Sequence, residues 1–261
     1  MGRALFDFFE SIAEELSSEQ SRVITREDLQ EKDEESELFD ELRREMKASS
    51  NEEVFRLAVN ALENHFKAKS SHLPFSYDHT IGRFTTIDQE FLSFIKTMHS
   101  IRSLGKKARD FECGVAERLS RRTTGAIHRV GHPRDKKKLT PAFNAHMRTL
   151  GFSRPVLLDR EKDGGFDILW LLPIGTIPHR PFVSVQCKNA SFDLDAAGPS
   201  LGAGSRSLSQ HDGLQPSVHV PCVLFNDYIH PGLCPRKPLE FVPLGLSDLA
   251  TLGPRISAEF I

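Results

Sequence analysis

Residues 163–189, DGGFDILWLLPIGTIPHRPFVSVQCKN, constrain this chain more than any other stretch. Two apolar runs, FDILWLL and PFVSVQCK, flank a loop rich in Pro and Gly, the pattern of two strands joined as a hairpin. Side chains alternate between faces along a strand. In the second run Val183, Val185 and Cys187 share an apolar face fit for a core, and Ser184, Gln186 and Lys188 share the other. A glutamine and a lysine two apart on one face of a hydrophobic strand require a reason. The first run begins at Asp167, just after Gly164-Gly165, which let the backbone turn sharply. If the runs pair across loop 173–181, Asp167 falls near the level of Gln186 and Lys188. One carboxylate, one amide oxygen and one ammonium then meet. That set suits phosphodiester hydrolysis. A hard cation such as Mg²⁺ takes oxygen ligands from one or two side chains and keeps several waters. It acidifies a bound water and offsets charge on phosphorus, while Lys188 can position the water or hold phosphate oxygens.

The first hundred residues read as helical. Leu5, Phe8, Phe9, Ile12 and Leu16 recur at helical spacing. Residues 26–47 are highly charged, with a thin apolar stripe of Leu29, Leu38, Phe39, Leu42 and Met46. Ser50 and Glu53 form a capping box that opens a helix through Val54, Leu57, Ala58 and Leu62. Residues 70–86 hold Pro, Gly, Ser and Asp and read as a linker. Another helix starts near Thr86 and carries Phe91, Phe94 and Ile95. After Gly105 comes a strong helical pattern of Ala108, Phe111, Val115 and Leu119, which RRTTGAIHRVGHPRDKKK breaks as a basic loop. Thr140-Pro141 starts a helix with Phe143, Met147 and Leu150, stopped by Gly151. From Phe152 the texture turns to strands: PVLLD, the two runs above, and VHVPCVLFNDYI, where Pro221 points to an edge position or a bulge. Residues 196–216, rich in Gly and Ser, read as a poor helix or a loop, and a short helix starts near Asp248. The order is that of an α/β fold. The expected division is an acidic helical region at 1–85, a candidate interaction module, and an α/β domain at 86–261.

Gly151-Phe152, a short strand, the Asp163-Gly-Gly-Phe-Asp167 turn, a strand, a hairpin loop and Val185-Gln-Cys-Lys188 together resemble the core of Mrr-type restriction endonucleases, a branch of the PD-(D/E)xK nuclease superfamily. The resemblance covers about residues 108–230 and does not reach 1–100. It implies a restriction-endonuclease-like core, a central mixed sheet flanked by helices, preceded here by the N-terminal helical region. It implies Asp167 as the first metal ligand, Gln186 at a position often Gln rather than Glu, and Lys188 as catalytic. The family also often uses a Glu on the preceding core helix, in a Phe-Glu pair. Phe111-Glu112 fits, and Glu117 on the same helix is the alternative. In the family that helix usually leads straight into the Gly-aromatic strand start. Here 39 positions separate Glu112 from Gly151, and the intervening helix carries Phe143-Asn144 instead. The resemblance therefore implies a metal-dependent endonuclease acting on DNA, with Asp167, Gln186 and Glu112 holding Mg²⁺ or Mn²⁺, in a restriction or antiphage defence setting. An inactive member of the fold, serving as a nucleic-acid-binding or scaffold subunit, is the second reading. Asp167 and Lys188 are expected at a solvent-reached strand end, where their removal costs little stability.

Charge divides the chain unevenly. Residues 1–70 carry ten Lys/Arg against eighteen Asp/Glu, residues 71–150 fifteen against seven, and residues 151–261 nine against eleven. The middle block can meet a polyanion, which the first block would repel. Residues 118–138 hold eight Lys/Arg against one Asp, so Arg129, Arg134, Lys136, Lys137 and Lys138 are the candidate nucleic-acid contacts. The acidic region is expected to serve a protein partner or self-association. Cys113, Cys187, Cys222 and Cys234 form no CxxC pair, which fits a reducing cytoplasm and neither a zinc site nor a disulfide framework. No apolar run approaches the roughly 20 residues of a membrane helix, and the acidic, amphipathic start is unlike a signal peptide. His219, Asn226 and His230 bear a superficial likeness to an HNH nuclease but lack its zinc ligands, so they read as core or surface residues.

Overall fold

The computed structural model describes residues 3–18, 23–32, 37–69, 71–105, 108–123, 126–129, 167–172, 181–193, 219–229 and 241–250. The chain divides into two compact units, residues 1–100 and 101–261. The division falls inside a helix, fifteen residues after the boundary expected from the sequence. Among the described residues, no helix is long and apolar enough to cross a membrane.

The first unit mixes helices with a small sheet. Its elements are α1 (Arg3–Leu16), β1 (Val23–Thr25), α2 (Arg26–Lys32), α3 (Leu38–Met46), α4 (Asn51–Ala68), β2 (Phe75–Asp78), β3 (Arg83–Thr86) and most of α5 (Gln89–Ser103). The apolar stripe of α1 is buried as its spacing requires, with Leu5, Ile12 and Leu16 fully inaccessible. The expected cap at α4 forms: Ser50 Oγ accepts from the Glu53 N–H at 3.2 Å. The Glu53 carboxylate reaches back to the N–H and hydroxyl of Ser49 instead of the Ser50 N–H. The expected linker at 70–86 is instead an antiparallel hairpin, with Phe75 opposite Thr86 and Tyr77 opposite Phe84, and β1 completes a sheet of order β1-β3-β2. Phe75, Tyr77 and Phe84 supply the apolar alternation, and Gly82 takes the positive φ of 61° that the turn needs. A phenylalanine core joins helices and sheet: Phe8 to Phe55, Phe9 to Phe66 and Phe75 to Phe84 all have ring centroids 5.4–5.6 Å apart.

The second unit is built on a five-stranded mixed sheet of order β4-β5-β6-β7-β8. Helix α6 (Ala108–Arg122) buries Phe111, Val115 and Leu119, while Ala108, expected in the same stripe, is exposed. It leads into β4 (Ala126–Arg129), a strand within the stretch expected as a basic loop. Strand β4 pairs antiparallel with β5 (Ile168–Leu171), with Ile127 opposite Trp170. Strand β5 pairs antiparallel with β6 (Phe182–Lys188), with Ile168 opposite Val185, which is the hairpin the apolar runs required. Strand β7 (His219–Phe225) runs parallel to β6, and β8 (Val242–Leu244) parallel to β7. Pro221 therefore lies in an interior strand. The β8 ladder, however, starts only at Cys222 opposite Val242, so Pro221 has a ladder neighbour on the β6 side alone. The missing N–H is accommodated at a local edge. The short helix expected near Asp248 is a 3₁₀ helix, Leu246–Ala250. The helix expected from Thr140, the PVLLD strand and residues 196–216 lie outside the described residues.

Candidate active site

Asp167 stands at the start of β5, clamped to β6 by two backbone contacts. Its N–H donates to Val185 O at 2.8 Å, and its Oδ2 accepts from the Cys187 N–H at 2.7 Å. The two bonds straddle Gln186. Asp167 is only 9% exposed, so the expected solvent-reached strand end is corrected: this carboxylate is part of the sheet's hydrogen bonding. Alternation along β6 buries Val183, Val185 and Cys187 and leaves Gln186 and Lys188 half-buried, as the pattern required. Ser184, on the polar side by the same alternation, is nevertheless buried. The Gln186 Oε1 atom is buried and has no hydrogen-bond partner among the described residues. A buried amide oxygen without a donor costs free energy unless something electropositive meets it.

Helix α6 packs against β4 and β6 and brings Glu112 to the same region. Glu112 is 5% exposed. The Cys187 thiol is held well above its ordinary range, first by burial and then by the negative charges of Asp167 and Glu112. The thiol is therefore protonated at pH 7 and inert as a nucleophile. Glu117 is exposed and paired with Arg121 one turn along the helix. Arg129, on β4, places Nη1 3.8 Å from Glu112 Oε2. The other candidate nucleic-acid contacts, Arg134, Lys136, Lys137 and Lys138, lie outside the described residues, as does His230.

Sequence reasoning missed the polar framework at both ends of β6 and β7. At one end the Ser184 hydroxyl and His219 Nε2 are 2.7 Å apart, and the imidazole stacks on Phe182 with centroids 4.7 Å apart. Burial pulls His219 down to about 4, so it is neutral at pH 7. At the other end, next to Lys188, Asn226 Nδ2 donates to Asn189 Oδ1 at 2.7 Å, and Asn226 N–H donates to Lys188 O at 2.8 Å. Asp227 ties three segments together. Its carboxylate accepts from the Phe192 and Tyr228 N–H groups, lies 3.7 Å from Arg102 Nη1, and its carbonyl accepts from Leu246 N–H. Asn226 and Asp227 thus tie the end of β7 to the neighbouring segments. The signal available in the sequence was two polar residues placed straight after a fully apolar run.

Asp167 and Glu112 are buried carboxylates, and the Gln186 amide oxygen has no hydrogen-bond partner among the described residues; these are the oxygens that could meet a hard cation. Among the described residues there is no group of three or more His, Cys, Asp or Glu suited to a metal. No family model, curated protein or solved structure matches this chain.

Proposed function

We propose that this chain is a metal-dependent endonuclease of the PD-(D/E)xK class that hydrolyses phosphodiester bonds in DNA. The observation that carries the reading is the clamp of Asp167 onto β6 around Gln186, two residues before Lys188. It puts the carboxylate of the Gly-Gly-Phe-Asp turn at the level of the Gln-Cys-Lys motif. Two further features support it. The sheet is mixed, with the β4-β5 and β5-β6 pairs antiparallel and the β6-β7 and β7-β8 pairs parallel. The helix bearing Phe111-Glu112 leads into β4. Gly151 and the strand expected after it lie outside the described residues.

In this reading Asp167, Gln186 and Glu112 hold Mg²⁺ or Mn²⁺. The cation supplies Lewis acidity toward a phosphodiester and acidifies water. Asp167 is kept in place by the Cys187 N–H, so it cannot swing away when a substrate phosphate approaches. Lys188, fixed at the end of β6 by the Asn226 N–H to its carbonyl, holds a phosphate oxygen or orients the attacking water.

Purified full-length protein incubated with supercoiled plasmid and Mg²⁺ tests the reading. Nicked or linear DNA should form, EDTA should stop it, and Lys188→Ala should reduce cleavage by at least about a hundredfold. Circular dichroism should show Lys188→Ala folded. Cleavage that survives EDTA, or full activity of Lys188→Ala, would overturn the assignment. Binding without cleavage in every divalent metal would point to the inactive, nucleic-acid-binding member of the fold.

A further inference from the structure

Arg129 makes an ion pair with Glu112, a proposed metal ligand. Glu112 and Asp167 are 5% and 9% exposed. A carboxylate brought out of water needs hydrogen-bond donors or a positive charge nearby. Arg129 supplies one from β4, with a side chain about a third exposed where that of Glu112 is 7% exposed. At 3.8 Å the contact is longer than a hydrogen bond, so it is held by charge and not by a fixed fork geometry. Arg129 also belongs to the basic stretch 118–138, the most cationic surface candidate in the chain.

We propose that Arg129 is a resident counter-ion for Glu112 and couples metal binding to substrate binding. With no substrate, its guanidinium neutralises Glu112 and opposes a divalent cation beside it. A DNA phosphate offers the same guanidinium a better, solvent-side partner with bidentate geometry. Drawing Arg129 outward leaves the Glu112 carboxylate to the metal, so phosphate and metal favour one another's binding. By linkage the effect is reciprocal: metal must tighten DNA binding by the factor by which DNA tightens metal binding. The proposal rests on the nuclease reading, because that reading makes Glu112 a ligand.

Mn²⁺ binding to the full-length protein, read by electron paramagnetic resonance of the free ion, tests it without any turnover. The titration is run with and without a short phosphorothioate DNA duplex on wild type, Arg129→Gln and Arg129→Lys, with a thermal melt on each. In wild type the duplex should tighten Mn²⁺ binding by about five- to a hundredfold. Arg129→Gln should bind Mn²⁺ more tightly than wild type without DNA, and the duplex should then add little. Arg129→Lys keeps the charge without the fork and should retain a reduced coupling, which guards against a Gln variant that fails to fold. Equal Mn²⁺ affinity with and without duplex in wild type would overturn the coupling while leaving the nuclease reading standing, as would equal coupling in all three proteins. Absence of Mn²⁺ binding in every protein, with or without duplex, would remove the metal site and the coupling together.

Discussion

Asp167 carries two duties, and different substitutions separate them. Its carboxylate is proposed to hold a metal, and it also accepts the Cys187 N–H at 2.7 Å. Asp167→Ala leaves a buried backbone donor unmade, at a cost of about 1–3 kcal/mol. Asp167→Asn keeps an acceptor oxygen and removes the charge. We therefore expect both variants to lose cleavage, but only Asp167→Ala to shift the urea midpoint clearly; equal shifts would show that the hydrogen bond is not what Asp167 contributes to stability. His219 gives a second residue-scale prediction. Its folded value of about 4 lies below the ordinary 6.5, so the unfolded chain binds a proton more readily. Stability conferred by the neutral ring is complete above pH 6.5 and is lost as pH falls toward 4. After allowance for its partial exposure, the loss is about 2 kcal/mol. The double change Ser184→Ala with His219→Phe removes both polar partners and keeps a ring against Phe182, so it should flatten the acid limb in denaturation across that range. An unchanged acid limb would assign the titration elsewhere.

At the scale of elements, the link between β7 and the 3₁₀ helix depends on one close approach. A Cβ built on Gly245 would sit 2.7 Å from Asp227 O and 2.9 Å from Ile229 N, both backbone atoms that cannot step aside cheaply. Those atoms belong to the segment where Asp227 accepts from Phe192 and Leu246. Gly245→Ala should cost about 1–3 kcal/mol by overpacking. It should also loosen the Asn226 side of the site, seen as faster amide exchange at Asn226 and Leu246. Protection equal to wild type would show that the contact is not load-sharing. The elements themselves were legible to different degrees. The β5-β6 hairpin was readable because its apolar runs are bounded by Gly and Pro. The β2-β3 hairpin was not, because Pro74 and Gly82 read as linker punctuation while Phe75, Tyr77 and Phe84 were the stronger fact. Strand β4 was hidden by the basic residues around Ala126-Ile127.

For the whole molecule, the acidic first block is part of a packed unit. Its α1 stripe meets α4 and the small sheet through buried phenylalanines, Phe8 on Phe55 and Phe9 on Phe75. Deleting residues 1–70 would strip Phe75, Phe84 and Phe91 of Phe9, Phe55 and Phe66, so truncation is a poor probe of charge. Point changes are better. Neutralising Lys136, Lys137 and Lys138 together to Gln should weaken DNA binding to all sequences and lower the salt slope by about 2–3, as each phosphate contact releases counterion. Glu41→Gln with Glu45→Gln on the exposed side of α3 should leave affinity unchanged or slightly raised. A larger loss from the glutamate pair than from the lysines would place the DNA contact elsewhere.

The sequence by itself determined the local facts: which residues alternate on β6, where α4 is capped, which stripe of α1 turns inward, and that Asp167 stands opposite the Gln186 level. These follow from periodicities of 3.6 and 2 residues and from turn chemistry, all of which act over a few positions. Only the tertiary structure decided what each residue meets from far away. That Asp167 is bonded to Cys187 N–H, that Glu112 is buried while Glu117 is exposed and paired with Arg121, and that Arg129 lies beside Glu112 depend on how α6, β4 and β6 pack. Periodicity shows which face of an element is buried. It carries no information on the partner that buries it, because many distant partners satisfy the same apolar or charged face.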